Sequence, residues 1–326
     1  MLAWDDVLYK CACVQSGRLV GRGQAPPPTP PRLLPLLSQA FTALDRVSVL
    51  SEALPYLQRF RGKTVVVKYG GAAMVDPALR LEVLKDVVLL RYVGMAPILV
   101  HGGGPEISAM MERLGKQAEF VAGLRVSDAE TAQIAQMVLV GRTNAEIVSA
   151  LNSQGGRAVG LNGFDANLLV AEKHLEGGVD IGFVGDIVEL HPEIITVLAE
   201  RGYLPVIAPV AVGRDGATYN VNADHAAAQV AAALKASKLI VLSDVRGVLA
   251  HPDDPDSVIS ELSRAQAHEL IEQGRISSGM IPKVKACLEA LDGGVTRCHI
   301  IDGRVPHALL MEIFTDVGIG TMVVPG

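Results

Sequence analysis

Two glycine turns are the part of this sequence best suited to binding phosphate. A Lys-Tyr-Gly-Gly segment at 68–71 follows the apolar run at 65–67, and a His-Gly-Gly-Gly-Pro segment at 101–105 follows the run at 98–100. Glycines let backbone N–H groups approach an anion, and the start of a following helix adds positive potential. One Gly-Gly pair alone predicts only a tight turn. Two clusters at consecutive strand ends favour phosphate binding.

Charged side chains near these turns are candidates for phosphoryl transfer, which depends on neutralising charge. Lys68 ends the first predicted strand, Lys283 lies in a small-residue loop that enters a helix, and Asp224 follows an Asn-Val-Asn segment. Each has an ordinary alternative. Lysines are commonly solvated surface charges, Asn222 can serve simply as a helix N-cap, and Arg125 can form either a bidentate carboxylate clamp or a surface ion pair.

Two common nucleotide-binding patterns are absent from the sequence. The Gly-Lys-Thr segment at 62–64 resembles the end of a P-loop, but the earlier glycine position is Leu57 and the segment precedes a strand. The glycines at 102–104 are followed by Pro105 and Glu106, which do not fit G-x-G-x-x-G. Neither Walker-type nor dinucleotide-binding chemistry is supported.

Composition excludes several classes of protein. The 326 residues are 49% apolar and 4% aromatic with a net charge of −6. The sequence has no basic cluster with interleaved aromatics, so we expect no nucleic-acid partner, and no apolar run long enough to span a membrane, so we expect a soluble protein. The cysteines form no C-x-x-C pair or zinc spacing and are expected to be reduced thiols. They are Cys11, Cys13, Cys287 and Cys298.

The elements that must position these residues alternate between strand and helix. Short apolar runs at 65–67, 98–100, 206–208, 239–242 and 299–301 predict strands, and helices are predicted at 78–91, from 105, at 223–234 and at 282–291. This alternation predicts an α/β fold with a mainly parallel sheet covered on both faces. The glycine-rich stretch 157–189 predicts hairpins over one edge.

The N-terminal region differs from the rest. Residues 1–39 contain arginines and are rich in proline, which predicts a disordered leader. This leader is either an organelle transit segment or a disordered tail with no targeting function. An apolar stripe predicts a helix within 40–61 that docks on the body or on another subunit, and Pro55 is expected to kink or shorten it. The stripe consists of Phe41, Leu44, Val47, Leu50, Leu54 and Leu57.

Six motifs in order resemble the amino acid kinase family. They are Val67–Gly71, Val100–Pro105, Gly123–Val126, Asn220–Asp224, Leu242–Val245 and Gly279–Lys283. The resemblance covers the chain from about Leu44 onward, and its third and fourth motifs point to members that phosphorylate N-acetyl-L-glutamate. It implies a three-layer αβα sandwich of the carbamate kinase-like type. It also implies an acetylglutamate-binding lobe at 62–215 and a nucleotide-binding lobe with a C-terminal regulatory segment at 216–326.

The resemblance implies transfer of the γ-phosphate of MgATP to the γ-carboxylate of N-acetylglutamate, giving an acyl phosphate and ADP. It assigns Lys68, Lys283 and Asp224 to catalysis, Gly103, Gly104, Arg125 and Asn220 to acetylglutamate, and Gly70, Gly71, Ser243, Asp244 and Gly279 to ATP. It also implies that the N–H groups of Gly70, Gly71 and Gly103 bind phosphate oxygens. Magnesium would be held mainly by phosphates, without a protein ligand. The alternatives are a glutamate, aspartate or uridylate kinase of the same family, or a catalytically silent arginine sensor.

Regulation is a further expectation from the resemblance. The predicted N-terminal helix and the segment 306–321 resemble the arginine-inhibited members, which form hexamers. The arginine pocket would be lined by Lys238, His299, Glu312 and Gly318. Together with the leader, these features resemble plant and green-algal enzymes of the plastid, whose partner is a PII-type nitrogen sensor. The alternative location is the cytoplasm.

Overall fold

The computed structural model describes residues 42–71, 74, 76–251, 253–277, 279–315 and 318–326. The predicted leader, Cys11 and Cys13 lie outside these residues. The chain divides into two units, 1–50 and 51–326. None of the helices in the described ranges combines the length and apolar character that crossing a membrane requires.

The helices and strands follow the predicted alternation. The strands are β1 (Thr64–Tyr69), β2 (Ala96–His101), β3 (Phe120–Val121), β4 (Leu124–Arg125), β5 (Ala158–Leu161), β6 (Leu169–Glu176), β7 (Val179–Leu190), β8 (Leu204–Ile207), β9 (Val210–Gly213), β10 (Thr218–Asn220), β11 (Lys238–Ser243), β12 (Glu261–Ser263), β13 (Arg297–Asp302) and β14 (Gly320–Val324). The α-helices are α1 (Ala43–Phe60), α2 (Pro77–Tyr92), α3 (Gly104–Arg113), α4 (Ala129–Gln136), α5 (Ala145–Ser153), α6 (Glu193–Glu200), α7 (Ala223–Ala233), α8 (Arg264–Glu272), α9 (Ile281–Asp292) and α10 (Ala308–Phe314). A π-helical segment, Met137–Asn144, joins α4 to α5, and a 3₁₀ turn spans Asp165–Asn167.

The central sheet has eight strands in the order β12-β14-β13-β11-β1-β2-β8-β5. All neighbours pair in parallel except β13 and β14. This confirms the α/β class and the mainly parallel sheet. A smaller four-stranded barrel, β10-β7-β6-β9, contains the predicted hairpin of β6 and β7.

Successive side chains of β1 are buried on opposite faces of the sheet. Val66 packs in an apolar cluster with residues of α7 and α9, whereas Val65 and Val67 pack in a second cluster with residues of α2. Successive side chains of a strand point to opposite faces, so a strand covered on both sides must be apolar throughout. The continuous run of valines in the sequence has this cause.

One prediction about the elements is wrong. Residues 158–161 form an edge strand of the central sheet, because β5 pairs in parallel with β8 and is not part of a hairpin. Of the two effects expected from Pro55, a kink or a shorter helix, shortening does not occur, because the N-terminal helix continues through Pro55 to Phe60. The predicted cap is confirmed, since Asn222 Oδ1 accepts hydrogen bonds from the N–H groups of Asp224 and His225 at 2.8 and 3.2 Å. Cys287 and Cys298 are free thiols, as predicted, and both are buried.

Candidate active site

The two glycine turns lie side by side at the carboxyl ends of β1 and β2. The strands pair in parallel with Tyr69 opposite His101, so both turns leave the sheet at the same edge. The Gly102 N–H donates to the Tyr69 carbonyl at 2.7 Å, which ties one turn to the other. Gly71 has a φ of 68°, a conformation that favours glycine. Glycines of both turns therefore line one cleft.

Asp224 brings the two candidate lysines together. Its Oδ1 lies 3.0 Å from Lys68 Nζ and its Oδ2 lies 3.4 Å from Lys283 Nζ. Asp224 is 5% exposed and Lys68 is 8% exposed. Burial by itself would raise the pKa of Asp224, but the two ammonium groups outweigh burial and hold this pKa below its ordinary value. The carboxylate is thus ionised and anchors two positive charges beside the glycine turns.

Arg125 is a buried cleft residue, which excludes the surface ion pair considered from the sequence. It is 7% exposed, and its Nη2 donates to the Gly104 carbonyl at 2.9 Å and to Ser108 Oγ at 2.8 Å. The guanidinium also lies over the ring of Phe120, 4.7 Å from its centroid. Nη1 also donates to Met111 Sδ at 3.3 Å. These contacts fix the plane of the guanidinium, and its remaining N–H groups, one on Nη1 and one on Nε, are left to meet an anion in the cleft.

One cavity of about 230 Å³ joins these features, and we call it the glycine cleft. Eight of the predicted residues line it: Lys68, Gly70, Gly71, Gly103, Gly104, Arg125, Asn220 and Asp224. Lys283 reaches the cleft through its ion pair with Asp224. The predicted catalytic and acetylglutamate-binding residues therefore converge, although 215 positions separate Lys68 from Lys283 in the sequence (283 − 68).

The three remaining ATP residues lie beside a second cavity of about 470 Å³, here called the strand-end pocket. Asp244 lines it, whereas Ser243 is buried behind Asp244 and donates from Oγ to Asp244 Oδ1 at 3.3 Å. Gly279 is next to the lining residue Met280, and its carbonyl accepts from Lys283 Nζ at 3.5 Å. Ser243 and Gly279 are therefore sequence neighbours of lining residues and do not themselves line the pocket.

Sequence reasoning missed the arginines of the strand-end pocket, Arg246, Arg275 and Arg304. Of these three arginines, Arg304 could most readily have been predicted from the sequence. It follows β13, which ends at Asp302 opposite Ser243, and residues just beyond parallel strands face the ligand edge of a sheet. The Asp302 carboxylate accepts from two nitrogens of the Arg304 guanidinium, at 2.9 and 2.8 Å, and so holds it at the pocket.

The four residues predicted for arginine binding line a third cavity of about 290 Å³, the regulatory pocket. His299 Nδ1 lies 2.7 Å from Glu312 Oε1, and His299 Nε2 is a buried atom without a hydrogen-bond partner in the described chain. Burial lowers the pKa of Lys238 to about 8. Gly318 also lines the cavity, as does Arg59 at the end of α1, which the sequence analysis did not select.

Comparison with known proteins assigns the chain to a protein family. Residues 63–302 match the amino acid kinase family. The chain belongs to this family. It is 57% identical over 288 residues to an acetylglutamate kinase of Symbiobacterium thermophilum, covering 86% of this chain and 98% of that relative. It is also 57% identical over 278 residues to an acetylglutamate kinase of Caldanaerobacter subterraneus, covering 85% and 93%.

Solved structures agree with this family. An N-acetylglutamate synthase of Neisseria gonorrhoeae, complexed with coenzyme A and N-acetyl-glutamate, has a TM-score of 0.76 at 27% identity. The match covers 86% of this chain but only 63% of the synthase chain. A carbamate kinase of Giardia lamblia bound to AMP-PNP has a TM-score of 0.59 at 17% identity over 81% of this chain and 99% of that one, which shows the fold alone. The protein thus has the carbamate kinase-like fold.

Proposed function

We propose that this protein phosphorylates the γ-carboxylate of N-acetyl-L-glutamate with ATP, giving N-acetyl-L-glutamyl 5-phosphate and ADP in arginine biosynthesis. The observation that carries the proposal is the Lys68–Asp224–Lys283 bridge beside two glycine turns. Bacterial relatives that share more than half of their aligned residues with this chain are acetylglutamate kinases. Their high coverage supports the same substrate class here.

The chemistry of the site suits in-line transfer between two oxygen atoms. Lys68 and Lys283 supply positive charge to the migrating phosphoryl group, and Asp224 holds both ammonium groups in position. The N–H groups of the glycine turns donate to phosphate oxygens. No general base is needed, because a carboxylate acceptor is already ionised at neutral pH. Magnesium enters as part of MgATP, and no group of three or more His, Cys, Asp or Glu in the described chain is arranged to hold a metal ion.

We propose that Arg125 and Asn220 hold the acceptor. Asn220 ends β10 and lines the glycine cleft together with Arg125. A guanidinium whose plane is fixed by Gly104 and Ser108 presents its free donors to a carboxylate at a defined angle. We assign Arg125 to the α-carboxylate of acetylglutamate, which leaves the γ-carboxylate to face the lysines.

The test is a hydroxamate assay with ATP and one acceptor at a time. We expect turnover with N-acetyl-L-glutamate and no turnover with glutamate or aspartate, and a coupled ADP assay should show none with UMP. Turnover with one of these other acceptors and none with acetylglutamate would replace the proposal with that kinase. The absence of turnover with all four, in a protein that still binds arginine, would favour the silent sensor.

We further propose that L-arginine inhibits the enzyme by binding in the regulatory pocket. Glu312 offers a carboxylate to a guanidinium, and Lys238 offers a cation to the arginine carboxylate. Burial tends to raise the pKa of Glu312, but His299 and Lys238 outweigh it and lower this pKa. Glu312 is therefore charged at neutral pH and complements the ligand.

An arginine titration of the kinase rate tests this pocket. We expect inhibition of the wild type and a large loss of inhibition in Glu312→Gln. The control is Glu176→Gln, which removes another carboxylate paired with a histidine, His174 at 3.0 Å, but outside the pocket. A rate that stays flat with arginine in the wild type would remove the proposal.

The proposed hexamer uses helix α1. Leu44, Val47, Leu50 and Leu54 are 75, 59, 68 and 50% exposed. A row of exposed apolar residues on one helix is suited to burial against a second copy of the chain. We expect a hexamer by light scattering and smaller assemblies for Leu50→Glu. A wild-type monomer would refute this assembly.

Three proposals rest on the sequence resemblance. They are that the enzyme is of the plant and green-algal type, that it is targeted to plastids, and that it binds a PII-type protein. We propose that residues 1–39 direct the chain to plastids, and a fluorescent protein carrying them should accumulate there in a green-algal cell. Cytosolic fluorescence would favour the cytoplasmic alternative. Binding of a PII protein to the purified enzyme is a separate test, and a null result by calorimetry would remove that partner.

A further inference from the structure

His101 lies at the base of the glycine cleft but does not line it. The side chain is fully buried, and Nδ1 lies 2.7 Å from the carbonyl oxygen of Gly102. A carbonyl can only accept, so Nδ1 must carry the proton. The other ring nitrogen, Nε2, lies 3.1 Å from Asn144 Nδ2. The ring is therefore held from both sides.

Asn144 defines the protonation of the ring. Its Nδ2 also donates to the Val206 carbonyl at 2.9 Å, so this atom is the amide nitrogen and has a second N–H to donate to His101 Nε2. An Nε2 that accepts is unprotonated. Burial lowers the pKa of His101 to about 4, which agrees with a neutral ring at physiological pH. The two contacts together select the neutral tautomer with its proton on Nδ1.

The bond to Gly102 orients the next peptide group. The described chain has no cis peptide bond, so the Gly102 carbonyl and the Gly103 N–H point in opposite directions from one plane. Because His101 holds the carbonyl in the protein interior, the Gly103 N–H points the other way, and Gly103 lines the glycine cleft. The Gly102 N–H is itself tied to Tyr69. The peptide that offers a donor to phosphate is thus fixed before any ligand binds.

The π-helical segment Met137–Asn144 supports this arrangement from behind. A Cβ on Gly103 would clash with Leu139 Cδ2, so Leu139 is packed against the turn, while Asn144 reaches His101. In a regular α-helix, residues five apart point about 140° away from each other. A π-helix closes i→i+5 hydrogen bonds and brings such residues to one face. The unusual helix lets Leu139 and Asn144 contact the same turn.

We propose that His101 is a positioning residue for phosphoryl transfer, which holds the Gly103 N–H toward the transferring phosphate and whose tautomer is set by Asn144. The proposal rests on the proposed kinase function. It gives the histidine of the second glycine turn a role distinct from contact with substrate, since its ring does not reach the cleft.

The experiment compares His101→Leu with His101→Asn. Leucine has no donor for the Gly102 carbonyl, whereas the asparagine amide can place an N–H close to the position of Nδ1. We expect kcat to fall roughly tenfold to a hundredfold in His101→Leu, with KM for acetylglutamate changed less than threefold, because a small displacement of a donor acts on the transition state. His101→Asn should recover kcat to within about fivefold of the wild type.

The matched control is His191→Leu. His191 also binds a backbone carbonyl through Nδ1, that of Asn167 at 2.8 Å, but outside the glycine cleft. Its kcat should equal that of the wild type. A merely structural role of His101 predicts that both His101 variants lose kcat only in step with their unfolding midpoints. Equal kcat values for folded His101→Leu and wild type would overturn the proposal, as would a folded His101→Asn no better than His101→Leu.

A second measurement covers the case in which His101→Leu does not fold. Nitrogen-15 NMR of histidine-labelled wild-type protein should show one ring with Nδ1 protonated and Nε2 unprotonated, unchanged from pH 8 to pH 6. A protonated Nε2 at the His101 ring would overturn the proposal. This readout is independent of turnover, so a failure of the proposed acceptor in the kinase assay remains distinguishable from a failure of the positioning role.

Discussion

Replacing Asp224 with asparagine tests whether this carboxylate is what holds two positive charges at the reacting phosphate. The change is nearly isosteric and removes one negative charge from between Lys68 and Lys283. With an effective dielectric constant of about 20, each attraction is about 5 kcal/mol before the cost of desolvation. Because that cost offsets much of the attraction, we expect the variant to lose about 3–5 kcal/mol of unfolding free energy.

The lysines can relax in two ways, and both impair catalysis. They can separate, which moves the charges away from the phosphoryl group. Alternatively, their ammonium groups can draw in water, which screens the charge that they present to the phosphoryl group. We therefore expect kcat to fall by about 10²–10³-fold. The KM for acetylglutamate should change little, because Arg125 lies outside this bridge.

The assay combines urea unfolding with steady-state kinetics. The control is Asp86→Asn, which removes a carboxylate that is 1% exposed and paired with His307 at 2.7 Å, outside the glycine cleft. This control should change stability without changing kcat. A kcat within threefold of the wild type would refute the role assigned to Asp224.

Three further changes probe other contacts. Gly70→Ala would place a methyl 2.9 Å from Lys68 Nζ, so kcat should drop about tenfold with little loss of stability, and an unchanged rate would contradict this packing. Arg125→Lys should raise KM for acetylglutamate about tenfold and leave KM for ATP unaltered, because a lysine lacks the planar fork; equal effects on both would argue against it. His307 gains a raised pKa chiefly from its hydrogen bond to Asp86, so its stabilisation is complete below about pH 6.5 and is lost as the pH rises through that raised pKa. The stability difference between wild type and His307→Asn should therefore shrink from pH 6 to pH 9 in urea titrations, and a constant difference would exclude this linkage.

Elements with a strong local signal were predictable. The valine run of β1 is buried on both faces, and Asn222 caps α7 through its side chain, so one short stretch carried enough information in each case. The edge strand β5 was not, because four residues within a glycine-rich stretch fit a hairpin equally well. Its place depends on pairing with β8, which lies far along the chain.

The site was predictable in its residue types but not in its contacts. Glycine turns at strand ends indicated phosphate binding, and the resemblance selected Lys68 and Lys283. Nothing local in the sequence indicated that Arg125 would bind Gly104 and Ser108, or that Asn144 would set the tautomer of His101. Those contacts join elements that are separated in the sequence. The sequence separation does not tell how close the elements lie in the folded protein.

By itself, the sequence determined the alternation of strands and helices and the positions of the glycine turns, since hydrophobic periodicity and glycine geometry act within a few residues. Only the tertiary structure decided that one buried carboxylate meets two lysines, and that a π-helical segment supports a glycine turn. The physical reason is that ion pairs and hydrogen bonds form between atoms a few ångströms apart. The packing of the helices on the parallel sheet sets those distances.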